Sequence, residues 1–152
     1  MIVGDVCRSE VVCATATESV VAAAARMRDR HVGDVVVVDD DRRPIGILTD
    51  RDIVVSAVAQ TPEQLTGLLV ADIMTGEVTT VRRSDPLAAA LRHMRLGGIR
   101  RVPVVNGDGR LDGIIALDDA LTALARELFE LMDVVTEQRD REYERRPTAR
   151  AL

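Results

Sequence analysis

The chain has 152 residues, 47% of them hydrophobic, which is enough for one globular domain with a sizeable core. That core has to be aliphatic, because there is no Trp, one Tyr (Tyr143) and one Phe (Phe129), and so few stacking platforms argue against single-stranded nucleic-acid binding. A formal charge of −5 argues in addition against a general affinity for DNA or anionic membrane.

The N-terminal stretch MIVGDVCRSE lacks the basic-then-apolar order of a signal peptide, and nowhere do about 18 apolar residues run uninterrupted, so a cytoplasmic location is expected. Cys7 and Cys13 have no metal-ligand cluster around them; two free thiols are expected, with a disulfide as the alternative. Thr17 is a natural helix N-cap, and Val20, Ala23, Ala24 and Met27 follow it at helical spacing. The β-branched run Val35 to Val38 predicts a strand, Asp39-Asp40-Asp41 a turn, and Ile45 to Thr49 a second strand. A second helix closes this unit. Gln60 to Leu69, with Pro62 and Gly67, reads as a linker or short helical excursion.

The same grammar then repeats. A shift of 67 positions carries Met27-Arg28 onto Met94-Arg95 and Val35, Val37 and Val38 onto Val102, Val104 and Val105. Asp41 and Arg43 fall on Asp108 and Arg110, Gly46-Ile47 on Gly113-Ile114, and Asp52 on Asp119. Ser84 is the expected N-cap of the second copy, with Asp85 and Pro86 in its first turn and Leu87, Ala90, Leu91 and Met94 on its apolar face. The turn Asn106 to Gly109 joins Val102–Val105 to a strand from Leu111 to Ala116. Neither copy can bury both faces of its small sheet alone. The expectation is therefore an α/β fold in which the two copies pack face to face about a pseudo-twofold axis.

Leu117, Leu121, Leu124, Leu128, Leu131 and Val135 follow alternating steps of four and three, a heptad seam. The seam either covers the protein's own core or packs on a partner, most simply a second copy. From Glu137 to Arg146 the chain is almost wholly charged, and Pro147 is expected to end the helix.

The stretches VVVVDDDRRPIGILTDRD, VADIMTGEVTTV and RRVPVVNGDGRLDGIIALDD resemble the CBS-motif pair, or Bateman module, over roughly residues 1 to 125. The resemblance implies two β-α-β-β-α motifs with two clefts, divided as residues 1–69 (first motif with linker) and 70–125 (second motif), followed by a helical extension and tail at 126–152. It also implies a regulatory module that binds an adenosine nucleotide and has no catalytic activity of its own. AMP, ADP, ATP, NAD-type dinucleotides and S-adenosylmethionine all share the ribose diol and stay open as ligands.

In this family the polar residue and the Asp of G-h-x-[ST]-x-x-D lie beside ribose and phosphate. Here these are Thr49 and Asp52 in the first copy; the second keeps Asp119 but has Ala116 in place of the hydroxyl residue. A carboxylate can accept both hydroxyls of a cis-diol, and a Thr hydroxyl with the N–H groups opening the next helix can meet a phosphate. The alternative is that Thr49 and Asp52 simply cap a helix. By the same resemblance, the Asp119 cleft would use Arg100 and Arg101 for phosphate, with Ala16, Thr17, Val32 and Gly33 around the base. The Asp52 cleft would add Arg83, Ile99 and Arg100. Asp34, at the position matching Arg101, would repel phosphate. The alternative for Arg100-Arg101 is a solvated basic face.

No metal site is expected from Asp39-Asp40-Asp41, and His31 and His93 fit helix ends and surfaces. No P-loop or nucleophile motif is present in the sequence. Expected partners are an adenosine nucleotide, a second copy in a homodimer and a separate target polypeptide, with no membrane. Two rival readings remain at this point. One is an interaction adaptor with vestigial clefts; the other is a nucleic-acid binder using Arg82, Arg83, Arg100, Arg101 and Arg110.

Overall fold

The valine runs form strands because they are enclosed on both sides. In the computed structural model, which describes residues 1–144, every residue of β2 (Asp34–Val38) is buried. Val35 and Val37 turn toward a core with Ala23 and Met27 of α1 (Val20–Arg30), Leu48 of β3 (Pro44–Thr49) and Val70. Val36 and Val38 face the other way, onto Leu111 and Ile114 of the second copy. A strand covered on both faces reads as a continuous apolar run rather than an alternating one. The face-to-face packing expected from the repeat is therefore present, and it is made by every second valine.

The first sheet runs β1-β2-β3-β4, with β1 at Cys13–Ala14 and β4 at Thr75–Gly76; β1 is parallel to β2, and the other pairings are antiparallel. After β3 the chain enters a short α2 (Asp50–Asp52), which continues as a π-helical stretch over Ile53–Val58. A 3-10 turn at Pro62–Gln64 and α3 (Val70–Ile73) lead to β4. The second sheet is β5 (Val81–Arg82), β6 (Arg101–Val105) and β7 (Leu111–Ala116), with α4 (Leu87–Gly97) preceding β6. Both hairpins slip register at the same place, between Val37 and Val38 and between Val104 and Val105.

The 67-residue shift holds well beyond the segments that suggested it. The bridge Ser19↔Leu69 matches Ile2↔Pro86, and Ile47↔Thr75 matches Ile114↔Arg8. The bond from the Val70 amide to the Glu18 carbonyl (2.8 Å) matches that from Val3 to Asp85 (2.8 Å). These pairs show an exchange of arms. Residues 1–8 lie against the second sheet, while residues 68–76, which open the second repeat, lie against the first. Gly46 and Gly113 stand where each arm crosses. A Cβ on Gly113 would sit 2.8 Å from the Arg8 carbonyl oxygen, and one on Gly46 would sit 3.1 Å from that of Thr75. Close backbone approach is what the repeated glycine permits.

Two expected caps are corrected. Ser19, not Thr17, caps α1, its hydroxyl accepting the Ala22 amide at 3.1 Å. Pro86, not Ser84, occupies the cap position of α4, with no side-chain cap bond. Both helices begin three residues later than the polar residue proposed for them. The intervening turns are closed instead by Glu18 and Asp85, whose carboxylates accept the Thr15 and Arg82 amides. The hairpin turns follow the expected pattern: Asp39 Oδ1 accepts the amides of Asp41 and Arg43, and Asn106 Oδ1 those of Asp108 and Arg110. Cys7 and Cys13 are free thiols, and burial pushes both above the ordinary thiol range.

Residues Met1–Leu117 form one compact unit, and a second begins at Asp118. The described residues of the second lie in a single long helix, α5 (Leu117–Glu144). Along it Leu121, Leu124, Leu128, Leu131 and Val135 of the heptad seam are exposed, as are Phe129, Met132 and Val134. Pro147 lies outside the described residues. Among the described residues no helix is long and apolar enough to cross a membrane.

Candidate functional site

Within Met1–Leu117, the end of β3 and the turn after α4 enclose a cavity of about 560 Å³, in the size range of small-molecule sites. The first copy supplies Ile47 and the run Thr49 to Asp52; the second supplies Gly97 to Arg101; the arm entering β4 and the residues after it, Thr75 to Thr79, form the remaining wall. Three local features place these groups. The glycine at position 46 lets the arm lie across β3. Gly98, at φ +60, ends α4 in a left-handed turn that sends Ile99, Arg100 and Arg101 along the rim. Thr49 terminates the strand and caps the helix that follows.

The Thr49–Asp52 pair is a capping box. The Thr49 hydroxyl accepts the Asp52 amide at 3.1 Å, while the Thr49 amide (2.9 Å) and hydroxyl (2.7 Å) both donate to Asp52 Oδ2. The capping named as the alternative reading is therefore observed. The box engages only Oδ2, and both residues also line the cavity. Capping fixes the carboxylate's orientation; Oδ1 stands outside the box.

Behind the rim, Arg101 Nε lies 2.9 Å from Asp34 Oδ1. These two residues occupy equivalent positions in the repeat, and twofold-related positions can touch only beside the axis. Asp34 is the one buried charged residue among those described, at 9% exposed. Burial raises its carboxyl above the usual carboxylate range, with Arg101 pulling it down and Asp50 pushing it up. The ion pair brings together the basic residue expected to meet phosphate and the acid expected to repel it.

Of the residues singled out from sequence, Thr49, Asp52, Ile99, Arg100 and Arg101 share this cavity. Arg83 is not on its lining. Its Nε pairs with Asp112 Oδ2 at 2.5 Å, and its Nη2 donates to Ser9 Oγ at 2.6 Å and to the Asp112 carbonyl at 3.0 Å. Ala16 packs beside the first core with its carbonyl accepting the Ala71 amide, and Thr17 is exposed in the turn before α1. Val32 borders a shallower hollow with Met27, His31, Ile53 and Val54, while the Gly33 carbonyl accepts the Asp50 amide at 2.9 Å. Asp119 lies in the first turn of α5, within the second unit.

The wall from Thr75 to Thr79, together with Ile47, Asp50, Arg51, Gly97 and Gly98, was missed. The signal available for it was the VADIMTGEVTTV stretch, which marks where the second repeat begins but carries no residue with an obvious binding chemistry.

Comparison with known proteins agrees with this architecture. The model of the CBS domain matches residues 3–58 and 70–126. An uncharacterized protein of Methanopyrus kandleri is 38% identical over 121 residues, covering 78% of this chain; the match spans only 60% of that relative's length. The CBS domain pair of protein MJ0100, solved in complex with 5′-methylthioadenosine and S-adenosyl-L-methionine, superposes with a TM-score of 0.74 at 25% identity, over 84% of this chain and 98% of that one. CBSX2 in complex with AMP superposes with a TM-score of 0.69 at 28% identity, over 82% and 97%. With both motif matches falling on the two halves of the observed repeat, the chain belongs to the CBS domain family and carries the motif as a tandem pair.

Proposed function

We propose that this protein is a regulatory module of the cytoplasm that binds an adenosine nucleotide in the Asp52 cavity and has no catalytic activity of its own. The observation that carries this reading is the Thr49–Asp52 box on the cavity lining, which holds one carboxylate oxygen and leaves the other outside the box. An oriented carboxylate accepts hydroxyl donors at short range, and the ribose 2′- and 3′-hydroxyls are a matched pair of such donors. Ligands seen in the CBS pairs of MJ0100 and CBSX2 all carry adenosine, which supports the same class here. Thr49, Asp52, Ile99 and Arg100 are the contacts assigned to this ligand.

The test is calorimetry with AMP and 2′-deoxy-AMP on the wild type and on Asp52→Ala. Loss of one charge-assisted hydrogen bond costs about 1.5–3 kcal/mol, so the deoxy analogue should bind roughly ten- to a hundredfold more weakly to the wild type. Asp52→Ala should abolish that discrimination. Equal affinity of the wild type for the two nucleotides overturns the assignment.

A homodimer belongs to the same reading. The α5 seam and its neighbours Phe129 and Met132 are exposed along one helix, and a second copy would cover them with a closed twofold pair. Replacing Leu124 and Leu128 by Asp should reduce the mass in light scattering to that of a monomer; a folded dimer that persists overturns this part. An occupancy signal would then pass to a separate target polypeptide.

A further inference from the structure

We propose that Asp34 sets the phosphate selectivity of the Asp52 cavity by holding Arg101, so that the site takes an adenosine ligand with little or no phosphate charge and rejects the triphosphate. This rests on the functional reading above and narrows its ligand class.

Two observations carry it. The first is the charge on the lining. Asp50, Asp52 and Glu77 stand against Arg51, Arg100 and Arg101, so the wall as a whole presents no excess of positive charge. The second is the position of Asp34. It is buried, it lies against Arg101 at 2.9 Å, and added to the six charged residues of the lining it brings the sum to one net negative charge. An arginine whose Nε is engaged by a buried carboxylate keeps its other donors, but the carboxylate cancels its field at the distances over which a polyphosphate would be drawn in. Releasing Arg101 would expose a desolvated aspartate, so a phosphate gains little by competing for it. Asp34 touches no cavity space itself; it is a positioning residue that works through Arg101.

The experiment measures the ratio of ATP to adenosine affinity by calorimetry for the wild type, Asp34→Asn, Asp34→Glu and the double variant Asp34→Asn/Arg101→Gln. The amide keeps the shape of the carboxylate and removes its charge. In the wild type the ratio should be at or below one and should change little as salt rises. Asp34→Asn should raise the ATP affinity about tenfold while adenosine changes less than twofold, Asp34→Glu should keep the wild-type ratio, and the double variant should lose the gain. A merely structural role for Asp34 would move both ligands together. If Asp34→Asn does not fold, the wild-type salt series decides: a ratio above about ten that collapses with salt would mean that Arg101 already serves phosphate, and overturns the proposal. An unchanged ratio in folded Asp34→Asn overturns it too. Failure of the wild type to bind adenosine at all removes the functional reading and this inference with it.

Discussion

The two halves of this chain solve one folding problem twice and then differ where a ligand would be met. At the core the halves are interchangeable: Val3 and Val70, Ala23 and Ala90, Met27 and Met94, and Leu48 and Ile115 are buried at matching positions. Near the axis and the clefts they diverge, with Asp34 against Arg101, Gly33 against Arg100 and Thr49 against Ala116. Burial constrains volume, which both copies need equally, whereas charged residues that meet beside the axis must be of opposite sign. Two arginines or two aspartates at positions 34 and 101 would repel across the axis; one of each makes an ion pair. With charge at both positions, opposite sign is what the packing requires.

The exchange of arms is the strongest shared feature, and breaking it should have the largest effect. Deleting residues 1–8 removes the fully buried Val3 and the backbone bonds to Asp85, Arg83, Ile114 and Leu87. Burying a Val contributes about 1.5–3 kcal/mol, and each of five such hydrogen bonds about 1 kcal/mol. The expected loss of about 7 kcal/mol is comparable to the whole stability of a small domain. The truncated protein should show no cooperative unfolding transition by circular dichroism. A transition near the wild-type midpoint would mean that the second sheet holds without its arm.

A finer comparison lies at the crossing glycines. Gly113→Ala drives its Cβ to 2.8 Å from backbone at Arg8, whereas Gly46→Ala meets Met74 Sδ at 2.5 Å, in a side chain that can swing away, and the Thr75 carbonyl at 3.1 Å. Overpacking against backbone should cost about 2–3 kcal/mol at Gly113 and about 1 kcal/mol at Gly46. Denaturant midpoints check the order. Equal losses would mean that the two arms cross equally close.

How much of this was legible in the sequence follows the same division. The strands were readable to within a residue because β-branched runs and hairpin turns are local signals: Val35–Val38 and Ile45–Thr49 were expected, and Asp34–Val38 and Pro44–Thr49 are observed. The caps were misplaced because Thr17 and Ser84 have the right chemistry in the wrong turn, and Glu18 and Asp85 closing that turn leave no local mark distinct from an ordinary acid. The arm exchange was not legible at all. Nothing in MIVGDVCR says which sheet it will join, since Val3 and Val70 are the same residue type at matching positions of the repeat. The five cavity residues found from the motif lie in short runs at the ends of β3 and β6, while the wall at Thr75–Thr79 lies at the end of the exchanged arm and just beyond it, and was missed for that reason.

At the axis, Arg101→Ala should cost about 1–3 kcal/mol, because Asp34 is left buried without its partner. The figure sits below that for a fully enclosed pair because the Arg101 side chain is 38% exposed. The pH dependence gives the sign. Asp34 already holds its proton more tightly folded than an ordinary carboxyl, and removing Arg101 takes away the influence that opposes this. Its folded pKa then stands further above the unfolded value. Stability tied to the protonated form is present below the unfolded pKa and lost as pH rises through the folded one. The variant's deficit relative to wild type should therefore be largest at neutral pH and shrink toward about pH 4. A deficit that is constant over this range would separate the loss from the charge on Asp34.

The smallest effect concerns the residues that end α1 and α4. Both caps are left-handed: Gly98 at φ +60 and, at the equivalent position, His31 at φ +53. A side chain in this conformation costs about 1–2 kcal/mol relative to glycine, and glycine gives part of that back through the greater freedom of the unfolded chain. His31→Gly should thus stabilise the protein by about 0.5 kcal/mol. Gly98→Ala should destabilise it by a similar amount, since a Cβ there meets nothing within 4 Å and only the backbone is strained. Opposite shifts of about 1–2 °C in the melting midpoint are expected from the two changes. Shifts of the same sign would mean that the imidazole of His31, on the edge of the hollow formed with Met27 and Val54, contributes packing that outweighs its backbone strain.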